Sequence, residues 1–154
     1  MIKIPKAPNE ESRLAAAKET AEALIEEAGV EGDIEDIAAD VAKHCRYGDG
    51  YQMAKDLERA HWDCDMRIAE VLDGHSRRLD RAHEQFLARF QQEHNIQPTL
   101  PIGAAVKTRH GMGIVDRIYE HRPMTYAVKL DGDEKAEPPT NRRTLLYFDE
   151  VEAA

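Results

Sequence analysis

Four side chains have the chemistry to hold a metal. His44 and Cys45 are neighbours, and His61 and Cys64 are spaced i, i+3, which on one continuous helix would put both on a single face. Tetrahedral zinc accepts such donors, yet the spacing contains no pair of Cys-x-x-Cys knuckles, and an isolated cysteine more often behaves as a small apolar residue. No metal and no cofactor are therefore expected. Nucleophilic catalysis is equally short of parts. The only serines are Ser12 and Ser76, and neither sits in a Gly-x-Ser-x-Gly elbow. The run Gly111-Met112-Gly113 lacks the third glycine and the following helix of a phosphate loop, and it reads as a bend between strands. With no acid, base and nucleophile to assemble, the chain is expected to bind and not to catalyse.

Binding chemistry is plentiful, and it is acidic. The 154 residues include 21 Lys and Arg against 30 Asp and Glu, a formal charge of −9. Residues 9 to 40 alone hold eleven acids and two bases, Arg13 and Lys18, which equals the whole imbalance. Carboxylates at Glu19, Glu22, Glu26, Glu27, Glu31, Asp33, Glu35 and Asp36 can meet arginines much as phosphates do. The expected partner is a basic protein or nucleoprotein complex. The bland alternative is a solvated face that keeps the protein dispersed.

Nucleic-acid binding by the chain itself is not expected, because affinity for phosphates comes from Lys and Arg. Two short helices between Asp33 and His61 have the outline of a helix-turn-helix. The second, however, offers Lys55 and Arg59 alongside Asp56 and Glu58. A further basic set, Lys107, Arg109, Arg117, Arg142 and Arg143, lies near Tyr119, Tyr126, Tyr147 and Phe148. Aromatic and basic groups on one face can stack bases, but residues 100 to 154 hold eight bases and nine acids.

The elements that would carry these groups follow from periodicity. Residues 1 to 9, with Pro5 and Pro8, read as a flexible arm. Leu14, Ala17, Ala21, Leu24 and Ile25 predict an amphipathic helix from Glu10 to Ala28, stopped by Gly29. Asp33 and Asp49 are N-caps for a second and a third helix, and Asp63 for a fourth. From Cys64 the stripe Ile68, Leu72, His75, Leu79, Ala82, Phe86 and Phe90 predicts one long helix, kinked near Asp73 and Gly74. Ile68, Leu72, Leu79, Phe86 and Phe90 on that stripe suggest a homodimer contact. An acidic helical domain thus covers 10–95, and the prolines of 96–101 make a linker. Over 102–154 the period becomes two, with strands expected at 105–108, 113–119, 125–130 and 144–148. The fold class is α+β: a helical region with one long helix, then a small β-barrel.

Ile102, Gly103, Val106, Lys107, Thr108, Gly111, Gly113, Ile114 and Val115, followed by Tyr126, Val128, Leu130 and a closing Phe148-Asp149-Glu150-Val151, resemble an SH3-like barrel of the Tudor, KOW or CarD-type group. The resemblance implies a closed barrel, in a group that serves nucleic acids, polymerases and other proteins alike. The wider layout of acidic helical head, Pro-bounded linker and barrel looks like small accessory proteins of bacteriophages, which include anti-CRISPR inhibitors. That likeness implies a non-catalytic inhibitor of a host defence complex. The alternative it leaves is a dimeric regulatory adaptor whose barrel binds nucleic acid or a polymerase-like protein. Two cysteines form no disulfide framework, and no stretch of 18 apolar residues occurs, so a cytoplasmic protein without membrane contact is expected.

Overall fold

The computed structural model describes residues 2–154. The chain divides into two compact units, one of residues 7–86 and one formed by the N-terminal residues up to Lys6 with 87–154.

In the first unit α1 (Glu10–Ala28) is capped by Asn9, whose side chain accepts from the Ser12 N–H at 2.8 Å. It stops at Gly29, which is left-handed at φ 67° as a residue without Cβ allows. The buried face of α1 is narrow: Ala16, Ala17, Thr20, Ala21 and Leu24. Leu14, expected on that face, is exposed. α2 (Ile34–His44) and α3 (Gly50–Arg59) start at Asp33 and Asp49, as their sequences predict. α4 (Met66–Leu72) is capped by Asp65 and not by Asp63, because residues 62–65 stay extended and the Asp65 carboxylate reaches the Ile68 N–H at 3.0 Å. The expected kink is a break. Asp73 and Gly74 leave the helix, and α5 (His75–Glu93) starts afresh. The core of this unit joins Leu24, Ile37, Val41, Met53, Leu57, Ile68 and Leu72.

In the second unit β1 (Ala105–Thr108), β2 (Gly111–Ile118), β3 (Thr125–Leu130), β4 (Thr144–Tyr147) and β5 (Val151–Ala153) form one antiparallel sheet in the order β4-β3-β2-β1-β5. A single helical turn, α6 (Asp131–Glu134), follows β3. The expected closed barrel is an open sheet. A 3-10 turn at Phe148–Glu150 redirects the chain so that β5 pairs with β1, and the two edge strands do not pair with each other. Tyr126 and Phe148 meet in the core with ring centroids 4.5 Å apart. The N-terminal segment is no loose arm. Ile4 is buried and its N–H donates to Asp149 at 3.0 Å, while Lys6 pairs with Asp149 at 3.3 Å and Glu150 at 3.2 Å. The proline-bounded stretch is also held, since the Leu100 N–H donates to the Tyr126 hydroxyl at 3.1 Å.

Candidate functional site

The α1–α2 turn and the α3–α4 loop enclose a cleft of about 540 Å³ in the helical unit. One wall is sequence-local. Gly29 reverses the chain, Glu31 follows, and Asp33, Asp36 and Asp40 recur at intervals of three and four along α2, so they share one face. The opposite wall depends on an unusual residue. His61 adopts φ 71°, a left-handed conformation that ends α3, with the His61 and Trp62 N–H groups donating to Glu58 and Leu57 carbonyls. The chain then runs extended through Trp62, Asp63 and Asp65 along the cleft. Trp62 Nε1 donates to Asp40 at 2.9 Å and so ties the two walls together. Val30, Ile37 and Ile68 supply apolar lining. Six carboxylates line the cleft and no Lys or Arg does.

Of the eight acids expected to bind a partner, Glu31, Asp33 and Asp36 line this cleft. Glu19 is paired with Arg81 at 2.6 Å and Glu35 with Lys18 at 3.5 Å, so those two charges are met inside the chain. Glu22, Glu26 and Glu27 are exposed along α1. Asp40 belongs to the acidic run but not to the eight acids expected to bind, and Trp62, Asp63 and Asp65 lie outside the run; they come together only through the α3–α4 loop.

The four candidate metal donors have different surroundings. Cys45 is buried in the core, Cys64 and His44 are half-buried, and His61 is exposed at the cleft. Burial, then the charges of Asp56 and Cys64, pushes the Cys45 thiol up to about 12. Burial, then Glu58, Asp63 and Asp65, pushes Cys64 to about 11. Burial thus favours the thiol form of both sulfurs over the thiolate that a nucleophile needs. Among the described residues no three His, Cys, Asp or Glu converge as metal ligands would.

The basic set of the sheet unit is partly neutralised. Arg109 faces Glu150 at 3.7 Å, and Arg143 Nε meets Asp116 at 3.1 Å, whereas Lys107, Arg117 and Arg142 are exposed. Tyr126, Tyr147 and Phe148 are buried, and Arg122 lies 4.6 Å from the Tyr147 ring centroid. Tyr119, half-buried, stands edge-on to His121. The aromatics near these bases are therefore mostly core and not a stacking platform. In α3, Arg59 pairs with Asp56 and Lys55 lies over Tyr51.

Ile68, Leu72 and Leu79 of the stripe are buried in the chain's own fold, and Phe86 and Phe90 are half-buried. Among the described residues no helix is long and apolar enough to cross a membrane. No protein-family model, curated protein or solved structure matches the chain.

Proposed function

We propose that this chain is a non-catalytic binding protein whose helical unit engages a basic surface of a macromolecular partner. In its specific form it is a phage-type inhibitor that sets acidic helices against the basic groove of a host nucleic-acid-handling complex. One observation carries the reading: a cleft lined by six carboxylates and a tryptophan, with no Lys or Arg among its walls. The charge is also partitioned. Residues 7–86 hold 20 acids and 10 bases, the rest of the chain 10 acids and 11 bases. A field of that sign raises the encounter rate with arginine-rich surfaces and opposes nucleic acid. The absence of a catalytic role fits the side chains present. Ser12 is buried, Ser76 Oγ is engaged with the Gly48 backbone at 3.1 and 3.2 Å, and burial raises the pKa of both thiols.

A second reading, the barrel-centred adaptor with nucleic acid or a polymerase-like protein as partner, is favoured by one feature of the sheet unit. Ile102, Arg117, Ile118, Tyr119, Glu120 and His121 surround an open hollow of about 490 Å³. The two readings separate in affinity capture from bacterial lysate. A variant carrying Glu22→Lys, Glu26→Lys, Glu27→Lys and Asp36→Lys should lose the captured partner, and raised salt should release it from the parent. A variant carrying Arg117→Ala and Arg142→Ala should retain it. The reverse pattern assigns the function to the sheet unit.

A further inference from the structure

Beside the acidic cleft, across the same α3–α4 loop, lies a second hollow of about 210 Å³. Tyr51, Ala54, Cys64, Met66 and Ala69 form its apolar lining, Glu58 adds a carboxylate, and Asp65 lines both hollows. Tyr51 and Met66 are 62% and 70% exposed, a high exposure for large side chains with so much apolar surface. Aromatic residues and Met are the types enriched where protein surfaces meet. Its one lysine, Lys55, lies over the Tyr51 ring at 4.5 Å. The two hollows therefore pair an acidic aromatic site with a mostly apolar one, and they share Asp65 of the α3–α4 loop.

From this juxtaposition we infer that the surface centred on the His61–Asp65 loop binds an extended peptide segment of a partner protein. An arginine side chain enters the Trp62 cleft, and a nearby apolar side chain enters the Tyr51–Met66 hollow. The inference rests on the basic-partner reading and names the recognition unit within it. Charge complementarity selects the first anchor. The indole's single N–H is already given to Asp40, so what Trp62 adds to the cleft lining is aromatic ring, half-buried against the core, while Glu31, Asp36 and Asp63 offer acceptors. A guanidinium satisfies both, stacking on an aromatic face and donating in a planar fork to carboxylates; a lysine ammonium lacks the fork. The second anchor is selected by apolar area, since covering Tyr51 and Met66 removes them from water.

Trp62 is the only tryptophan, so its emission reports the cleft alone. The probes are blocked peptides of glycine and serine that carry one arginine and one leucine, zero to three residues apart. At least one spacing should shift Trp62 emission saturably. Replacing its arginine by glutamine should weaken binding about tenfold, and replacing its leucine by serine about fivefold, typical of losing one anchor. The triple variant Glu31→Gln, Asp36→Asn, Asp63→Asn removes acids that cap no helix. It should bind the arginine and glutamine peptides equally while still preferring leucine to serine. Tyr51→Ser with Met66→Ser should show the converse. A misfolded variant would lose both preferences, and the converse pattern guards against that reading. If no spacing moves Trp62 emission, or if both variants lose the two preferences alike while their circular dichroism matches the parent's, the inference is wrong. Calorimetry with long poly-arginine separates this failure from that of the wider reading. Salt-sensitive binding without a Trp62 response overturns only the loop surface, whereas no binding overturns the basic partner as well.

Discussion

His75 is 1% exposed, and its Nδ1 lies 2.7 Å from Thr20 Oγ1, which also accepts from Arg78 at 3.2 Å. This order is satisfied when the Thr20 hydroxyl donates to an unprotonated Nδ1. Burial, and then the Arg78 charge, lowers the His75 pKa from 6.5 to about 4. The unfolded chain thus binds the proton more readily than the native one. Stability from this group is complete above pH 6.5 and is lost as the pH falls from 6.5 to about 4, by roughly 3 kcal/mol. Urea midpoints across that window should fall, and His75→Gln should flatten the slope. Trp62 makes a second prediction at this scale. Asp40→Ala leaves the half-buried indole N–H without its carboxylate, which should cost about 1–3 kcal/mol in urea unfolding and shift Trp62 emission to the red.

Helix junctions are held by side chains from other elements. The α3 N-terminus receives Asp49 locally, through the Gln52 N–H, and Asp73 from the α4–α5 break, through the Gly50 N–H at 2.6 Å. Both carboxylates face the positive end of the helix dipole. Gly50 sits where a methyl group would collide with the Ala69 carbonyl oxygen and the Asp73 backbone. Gly50→Ala, ordinarily favourable in a helix, should therefore destabilise by about 3 kcal/mol, measured by thermal unfolding. An unchanged melting temperature would mean that α3 and α4 are not so closely apposed. The N-terminal segment acts on the sheet unit in the same manner. Burial raises the Glu150 carboxyl, but the Tyr147 N–H, the Lys6 ammonium and the Arg109 charge outweigh it and hold it below the usual carboxylate range. Lys6→Ala should move the Glu150 titration upward in a carboxyl-detected NMR experiment. The favourable contribution of this carboxylate, present above its ordinary pKa and lost as pH falls through its lowered one, should shrink accordingly.

On the scale of the whole molecule the charge is concentrated in one unit. Twenty acids against ten bases in residues 7–86 repel one another at low salt, although some, such as Glu19 and Glu35, have bases beside them. Added salt screens that repulsion over roughly 10 Å at 0.1 M, so the melting temperature of the helical unit should rise with moderate salt. A fall would indicate that ion pairs dominate. Replacing exposed Glu22, Glu26 and Glu27 by Lys should leave circular dichroism unchanged, since exposed charges add little to stability.

The sequence by itself determined most of the elements and several of their ends, though not the start of α4, the break before α5 or strand β5. Asn9 aside, the caps at Asp33 and Asp49, the stop at Gly29 and the strands near 105–108, 125–130 and 144–147 follow from local rules, because a cap or a two-residue alternation needs only neighbours a few positions away. It also determined the acidic run. What it did not show depends on contacts distant in sequence. Asp73 meets Gly50, Ile4 meets Asp149 and Trp62 meets Asp40, separations of 23, 145 and 22 residues. Such contacts decided that the N-terminal arm is docked, that four acids of the run line a cleft with two from elsewhere, and that Ile68 and Leu72 serve the chain's own core. The closed barrel was expected wrongly for the same reason. Alternation sets which side of a strand is apolar, but whether β5 joins β1 or β4 depends on the turn at Phe148–Glu150 and on the Tyr126–Phe148 contact that holds it.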